Sequence, residues 1–230
     1  MFALAGALTL QIAGARAADM PITPPPPPVL DYGWYLRGDL GYNWGRVGDA
    51  ESTAPFLNPT LNELGDSLMV GAGAGIKTQW LRTDVTIDYL LPMKYQGGVA
   101  VPGDVTAKIA AASALFNGYL DLGTWYHVTP YVGAGAGAAY MWVSDYASAL
   151  TPPFTGDGAH QQWNLAWAAM AGLGVAVAPN LIVDVGYRYI DFGDVETARD
   201  AFGGVTFKDV AAHEVRVGVR WSFDDGLGWQ

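Results

Sequence analysis

From Tyr32 onward, apolar and polar positions alternate with a period of two. In the first segment Trp34, Leu36, Leu40, Tyr42 and Trp44 share one face, and Tyr35, Arg37, Asp39 and Asn43 share the other. A period of two belongs to a β-strand, whose successive side chains point to opposite faces. The same alternation returns in seven more segments. Leu68 to Ile76 opposes Met69, Gly71, Gly73, Gly75 and Lys77; Leu81 to Tyr89 opposes Arg82, Asp84, Thr86 and Asp88. Ala112 to Leu122 opposes Ser113, Leu115, Asn117, Tyr119 and Asp121; Val132 to Trp142 opposes Tyr131, Gly133, Gly135, Gly137 and Ala139. Leu165 to Val175 opposes Asn164, Ala166, Ala168, Met170, Gly172 and Gly174; Leu181 to Tyr189 opposes Ile182, Asp184, Gly186 and Arg188. Val215 to Phe223 opposes Glu214, Arg216, Gly218 and Arg220. Aromatic residues cluster at the ends of the apolar rows, where a membrane protein meets the headgroups.

The connections alternate in length. Three are short (Thr78 to Trp80, Gly123 to Pro130, Ala178 to Asn180), and four are long (Gly45 to Asp66, Pro92 to Ala111, Val143 to Gln162, Phe192 to Val210). Short turns at one end and long loops at the other predict an all-β fold, an eight-stranded antiparallel up-and-down transmembrane β-barrel over residues 33–223. With an even strand number both ends of the barrel sequence lie on the periplasmic side. A bundle of membrane helices is the first rival, because Trp163 to Val183 is free of charge and long enough to span. Pro179-Asn180 interrupts that run. Arg82, Asp84 and Asp88 would scatter around a helix but all point inward on a strand. A soluble barrel, with the apolar faces inside, would have to enclose every bulky aliphatic and aromatic side chain of eight strands.

Composition sharpens this picture. Just over half of the 230 residues (51%) are apolar and 15% are charged, against about a quarter charged in ordinary soluble domains. The formal charge of −10 argues against nucleic-acid binding, which needs clustered Lys and Arg. The absence of cysteine excludes disulfides, thiolate metal sites, cysteine catalysis and lipid attachment at cysteine. Met1 to Gly14 is apolar and uncharged, and Ala15-Arg16-Ala17 follows as a small-x-small cleavage site. Residues 1–17 therefore read as an export signal, and losing Arg16 takes the charge from −10 to −11. Residues 18–32 hold the run Pro24 to Pro28, which adopts extended polyproline II and forms a semi-rigid periplasmic lead-in. Residues 224–230 form a C-terminal tail. The expected location is the outer membrane.

Several stretches carry a family resemblance. They are Gly33-Trp34-Tyr35-Leu36-Arg37-Gly38-Asp39-Leu40-Gly41-Tyr42, Leu115 to Gly123, Thr129 to Gly135, Gly186 to Gly193, and the closing Glu214-Val215-Arg216-Val217-Gly218-Val219-Arg220-Trp221-Ser222-Phe223. With the Ala-Asp start and the polyproline lead-in, the chain resembles the outer-membrane β-barrel proteins of alphaproteobacteria, the opacity-like or "porin family" barrels. The resemblance implies the eight-stranded fold and a structural surface protein, in some members linked to host contact. It implies no particular activity. Such barrels end on the aromatic residue of the last strand, which the assembly machinery reads; here Asp224 to Gln230 follow Phe223. Trp221 and Phe223 are the expected assembly signal.

Inward parity places Arg37, Lys77, Arg82, Arg188, Arg216 and Arg220 with Asp39, Asp84, Asp88, Asp121, Asp184 and Glu214, six positive against six negative. Unpaired charge in a narrow lumen is costly, so these groups should form a network that fills it. No catalytic, cofactor-binding or metal-ligating set emerges. His127 falls in a short turn, His160 in a long loop, and His213 is adjacent to Glu214 on a strand, so the two point to opposite faces. The expectation is a non-enzymatic structural barrel without cofactors or a wide pore, supporting envelope integrity and displaying surface loops. A surface-binding protein acting through those loops is the alternative; a small-solute porin and a lipid-modifying enzyme rank lower. The expected partners are outer-membrane lipid and lipopolysaccharide, the barrel-assembly machinery, and, for the alternative, a host or surface ligand.

Overall fold

In the computed structural model the eight alternating segments are eight strands. They are β1 (Tyr32–Arg46), β2 (Asp66–Thr78), β3 (Leu81–Val99), β4 (Asp104–Asp121), β5 (Val128–Ser148), β6 (His160–Ala178), β7 (Leu181–Asp191) and β8 (Ala211–Ser222). The structure describes residues 32–46, 50–52, 59–99, 104–148, 154–155, 160–196 and 205–223. The expected export signal, the lead-in up to residue 31 and the tail lie outside the described residues.

Each strand pairs antiparallel with its neighbours in sequence, and β1 also pairs with β8, from Tyr35 opposite Ser222 to Arg46 opposite Ala211. The sheet is therefore closed and has no free edge. The registers fix its stagger. A path across paired residues runs from Leu36 through Ala74, Val85, Phe116, Ala136, Trp167, Asp191 and Ala211 to Arg46, ten residues (36 to 46) along β1 from its start. With ordinary strand spacings, eight strands and a stagger of ten give a tilt of about 40° and a backbone radius of about 8 Å. Such a lumen is wide enough for side chains and little else.

The outer wall is apolar and exposed: Leu40, Ile87, Phe116, Leu165 and Val217 all present at least half of their surface. In water an apolar face this large would aggregate, whereas in hydrocarbon it is the solvated face. Aromatic rings mark both rims. Trp34, Trp80, Trp125, Trp221 and Phe223 lie at the end with short turns; Trp44, Tyr89, Tyr140, Trp142 and Trp163 lie at the other.

The short turns are Gln79-Trp80, Pro179-Asn180 and a longer connection, Leu122 to His127. That last one carries a tight hairpin in which Trp125 and Val128 exchange both backbone hydrogen bonds at 2.9 Å. Its central residues, Tyr126 (φ +48°) and His127 (φ +70°), both sit in the left-handed region.

At the opposite end the strands run further than the hydrophobic pattern indicates. The expected connection Pro92 to Ala111 is mostly paired strand, with Met93 to Gly98 opposite Ile109 to Asp104. The expected connection Val143 to Gln162 is shortened as well, since Val143 still pairs with Ile109 and His160. Two causes hide this extension. Backbone pairing above the membrane needs no apolar face, and Pro92, which lacks an N–H donor, sits in a bulge between Leu90 and Met93. The bulge breaks parity: Leu90 and Met93 are both buried, while Leu91 and Pro92 are both exposed. Short segments tie the surface connections together. Pro59–Leu64 extends the sheet against β3, and Val195–Glu196, Val205–Phe207 and Ala50–Ser52 form a small sheet joining the β7–β8 and β1–β2 connections.

Candidate functional site: the barrel interior

The inward face of β1 begins the charged layer. Arg37 holds Asp39 bidentately (Nε to Oδ2 2.8 Å, Nη2 to Oδ1 2.9 Å) and donates through Nη1 to Asp84 Oδ2 at 2.8 Å and to Tyr119 Oη at 2.9 Å. Tyr35 Oη and Asn117 Nδ2 donate to the two oxygens of Asp84 at 2.9 and 2.8 Å. Arg216 Nη2 stands 2.8 Å from Asp39 Oδ2. Arg188 bridges two carboxylates, Nη1 to Asp88 Oδ2 at 2.5 Å and Nη2 to Glu214 Oε2 at 2.9 Å. Arg82 and Lys77 share Asp121, at 2.8 and 3.5 Å. Arg220 holds Asp184 through both of its oxygens. Each of the twelve charged residues thus has an opposite partner, and ten of them are buried.

Within this inward charged layer two register positions set like charges side by side, Arg37 opposite Arg220 and Lys77 opposite Arg82. The first conflict is resolved because the two arginines reach different carboxylates; the second because both cations share one. The Arg82 guanidinium also stacks over Tyr119 and Tyr131, 4.6 and 4.8 Å from the ring centres. Inward glycines make the space: a Cβ at Gly75 would lie 2.6 Å from Asp84 Cβ and one at Gly135 2.1 Å from Asn117 Oδ1.

Above the charges, toward the end with extended strands, the lumen is apolar. Met69, Leu90, Met93, Ile109, Met141, Ile190, Phe192 and Val210 pack as one buried cluster. With Met170, it contains four of the six methionines of the chain. Inward parity in the sequence names Met69 and Met170 but neither Met93 nor Met141. The missed signal was the turn of inward positions from charged to apolar toward the upper strand ends (Leu90, Ala111, Ala139, Ile190, Ala212); the Pro92 bulge concealed Met93.

The histidines stay apart. His127 is in the hairpin turn, His160 opens β6, and His213 lies on the outer wall. His213 stacks on Trp44 (ring centres 6.2 Å, planes 18° apart), and its Nδ1 is hydrogen-bonded with Tyr187 Oη. Glu214 points into the lumen, so the two residues share no site. Among the described residues no group of three or more His, Asp or Glu could hold a metal ion. Trp221 and Phe223 lie on the outer wall at the lower rim, and Phe223 N donates to Trp34 O at 3.0 Å.

A closed eight-stranded wall with an apolar exterior and a filled, charged interior matches one protein family along nearly its whole length. The model of the "Outer membrane protein beta-barrel domain" matches residues 3–223. The chain belongs to the outer membrane protein β-barrel family. An uncharacterized protein of Brucella suis is 30% identical over 94% of this chain and 95% of its own. A candidate adhesin of Rickettsia conorii is 26% identical over 82% of this chain and 81% of its own. Among solved structures, OprG of Pseudomonas aeruginosa superposes with a TM-score of 0.54, covering 84% of this chain and 97% of that one at 14% identity, a likeness of fold. As a member of this family the barrel resides in the outer membrane, with relatives that include surface and adhesin-like proteins.

Proposed function

We propose that this outer-membrane barrel is a structural, non-enzymatic protein that supports envelope integrity and displays surface hairpins, without a wide pore. The observation that carries this reading is the filled lumen: the ion-paired layer from Arg220 and Arg82 up to Arg188, capped by the apolar layer of Met69, Met93 and Phe192. Lipid and lipopolysaccharide cover the apolar wall, the assembly machinery reads Trp221 and Phe223, and the acidic chain has no role with nucleic acid. The binding alternative has one specific support, the similarity to a candidate adhesin, and would use the strand extensions that rise above the girdle. A deletion strain tests both. Under the structural reading it leaks periplasmic enzymes and becomes detergent-sensitive, and a variant with its surface hairpins shortened restores the barrier. A deletion strain with an intact barrier that loses attachment to a surface instead selects the binding reading.

A further inference from the structure

One small cavity lies where the charged layer meets the apolar one. It is lined by the polar residues Asn43, Asp88, Ser113, Arg188 and Glu214 and by apolar residues such as Leu90 and Phe192. Asn43, Asp88, Arg188 and Glu214 are at least 97% buried, and each has one atom without a hydrogen-bond partner: Asn43 Nδ2, Arg188 Nε, Asp88 Oδ1 and Glu214 Oε1. The remaining groups of the triad are occupied, since Arg188 spends Nη1 on Asp88 Oδ2 and Nη2 on Glu214 Oε2. Arg216 Nε approaches Glu214 Oε1 only to 3.8 Å, too far for a hydrogen bond.

We infer that this cavity is a binding site for one structural water molecule, held by Asn43, Asp88, Arg188 and Glu214. Two unused donors and two unused acceptors match the bonding capacity of water, which donates two hydrogen bonds and accepts two. Left dry, each of the four groups would keep the full penalty of its desolvation with no bond to offset it. Size agrees with chemistry: the centre of a water-sized sphere has about 10 Å³ to occupy, close to the least that admits one molecule. A metal cation fits poorly, because the Asn43 amide and the Arg188 guanidinium would aim N–H groups at it. An anion meets both carboxylates. The apolar layer lies over the site, so the water should exchange slowly with bulk solvent.

The test is a water-selected NOE measurement on the folded protein in deuterated detergent with ¹⁵N-asparagine. The Asn43 side-chain amide should show a direct dipolar cross-peak to water. Asn117 is the internal control: its Nδ2 is already taken up by Asp84 Oδ1 at 2.8 Å and Thr86 Oγ1 at 3.1 Å, and it should be silent. A cross-peak at Asn43 alone supports the site. A silent Asn43, as a bound sodium ion or a dry cavity would give, overturns it, and so do equal peaks at both residues. An Asn43→Leu variant gives a second reading: oxygen-17 relaxation dispersion should lose one long-lived water relative to the unaltered protein, and an unchanged amplitude would refute the assignment.

Discussion

Arg188 is the residue on which the upper charged layer depends. It is the hydrogen-bonding partner of both Asp88 and Glu214 across the lumen. Replacing it with Met leaves two buried carboxylates facing each other. Removing one member of a buried ion pair costs about 3–5 kcal/mol, so Arg188→Met should lower the urea midpoint for unfolding from lipid vesicles while adding little conductance. A midpoint equal to that of the unaltered protein would show that the triad carries no such load. Glycine gives a second contrast at this scale. A Cβ at Gly133 would lie 2.5 Å from Tyr119 Cδ1 and 2.8 Å from the Gly118 carbonyl, while one at Gly38 meets nothing within 4 Å. Overpacking costs about 1–3 kcal/mol, so Gly133→Ala should destabilise the barrel, and Gly38→Ala should leave the same unfolding midpoint nearly unchanged.

At the scale of single elements, the hairpin between β4 and β5 is strained. Tyr126 and His127 occupy the left-handed region, which costs an L-residue about 1–2 kcal/mol and which Asn-Gly accepts readily. The double change Tyr126→Asn, His127→Gly should therefore raise stability by about 1–2 kcal/mol in the same unfolding assay. A loss of stability would mean that the exposed aromatic ring contributes more than the strain takes away. Strand β8 supplies the other element-level prediction. Val217, Val219, Trp221 and Phe223 keep an outward face up to the lower rim, and Phe223 still hydrogen-bonds to Trp34 of β1. Truncation after Phe223 should preserve surface assembly, and Phe223→Ala should impair it, as read by protease accessibility on cells. The reverse pattern would place the signal in the tail.

For the whole molecule, strand number and stagger decide what can pass. Open porins use about 16–18 strands, whereas a radius of about 8 Å is filled by side chains. Here those side chains are ion-paired in one layer and tightly packed in the next, and charge-assisted arginine pairs are directional and strong. Single-channel recording of the purified monomer in a planar bilayer should give silence or rare small steps. Stable nanosiemens steps would refute a closed lumen.

The sequence by itself determined the membrane-spanning strands, their faces and their order, but not the extension of β3 and β4 beyond the Pro92 bulge. Period two is a local property: once Leu36 points outward, Arg37 must point inward, and no knowledge of the rest of the chain is needed. The alternation of short and long connections, equally local, made the sheet up-and-down and antiparallel. What the tertiary structure alone decided is the height at which inward residues meet. Arg37 and Asp84 are 47 positions apart, Arg188 and Asp88 100 apart, and nothing local relates them. Their meeting depends on a stagger that accumulates around eight pairings and closes only at β1 with β8. The same closure sorted charge below from apolar packing above and carried Met93, shifted by the Pro92 bulge, into the lid. Parity is a property of a segment, but register around a closed wall belongs to the whole barrel, and the interior is built from register.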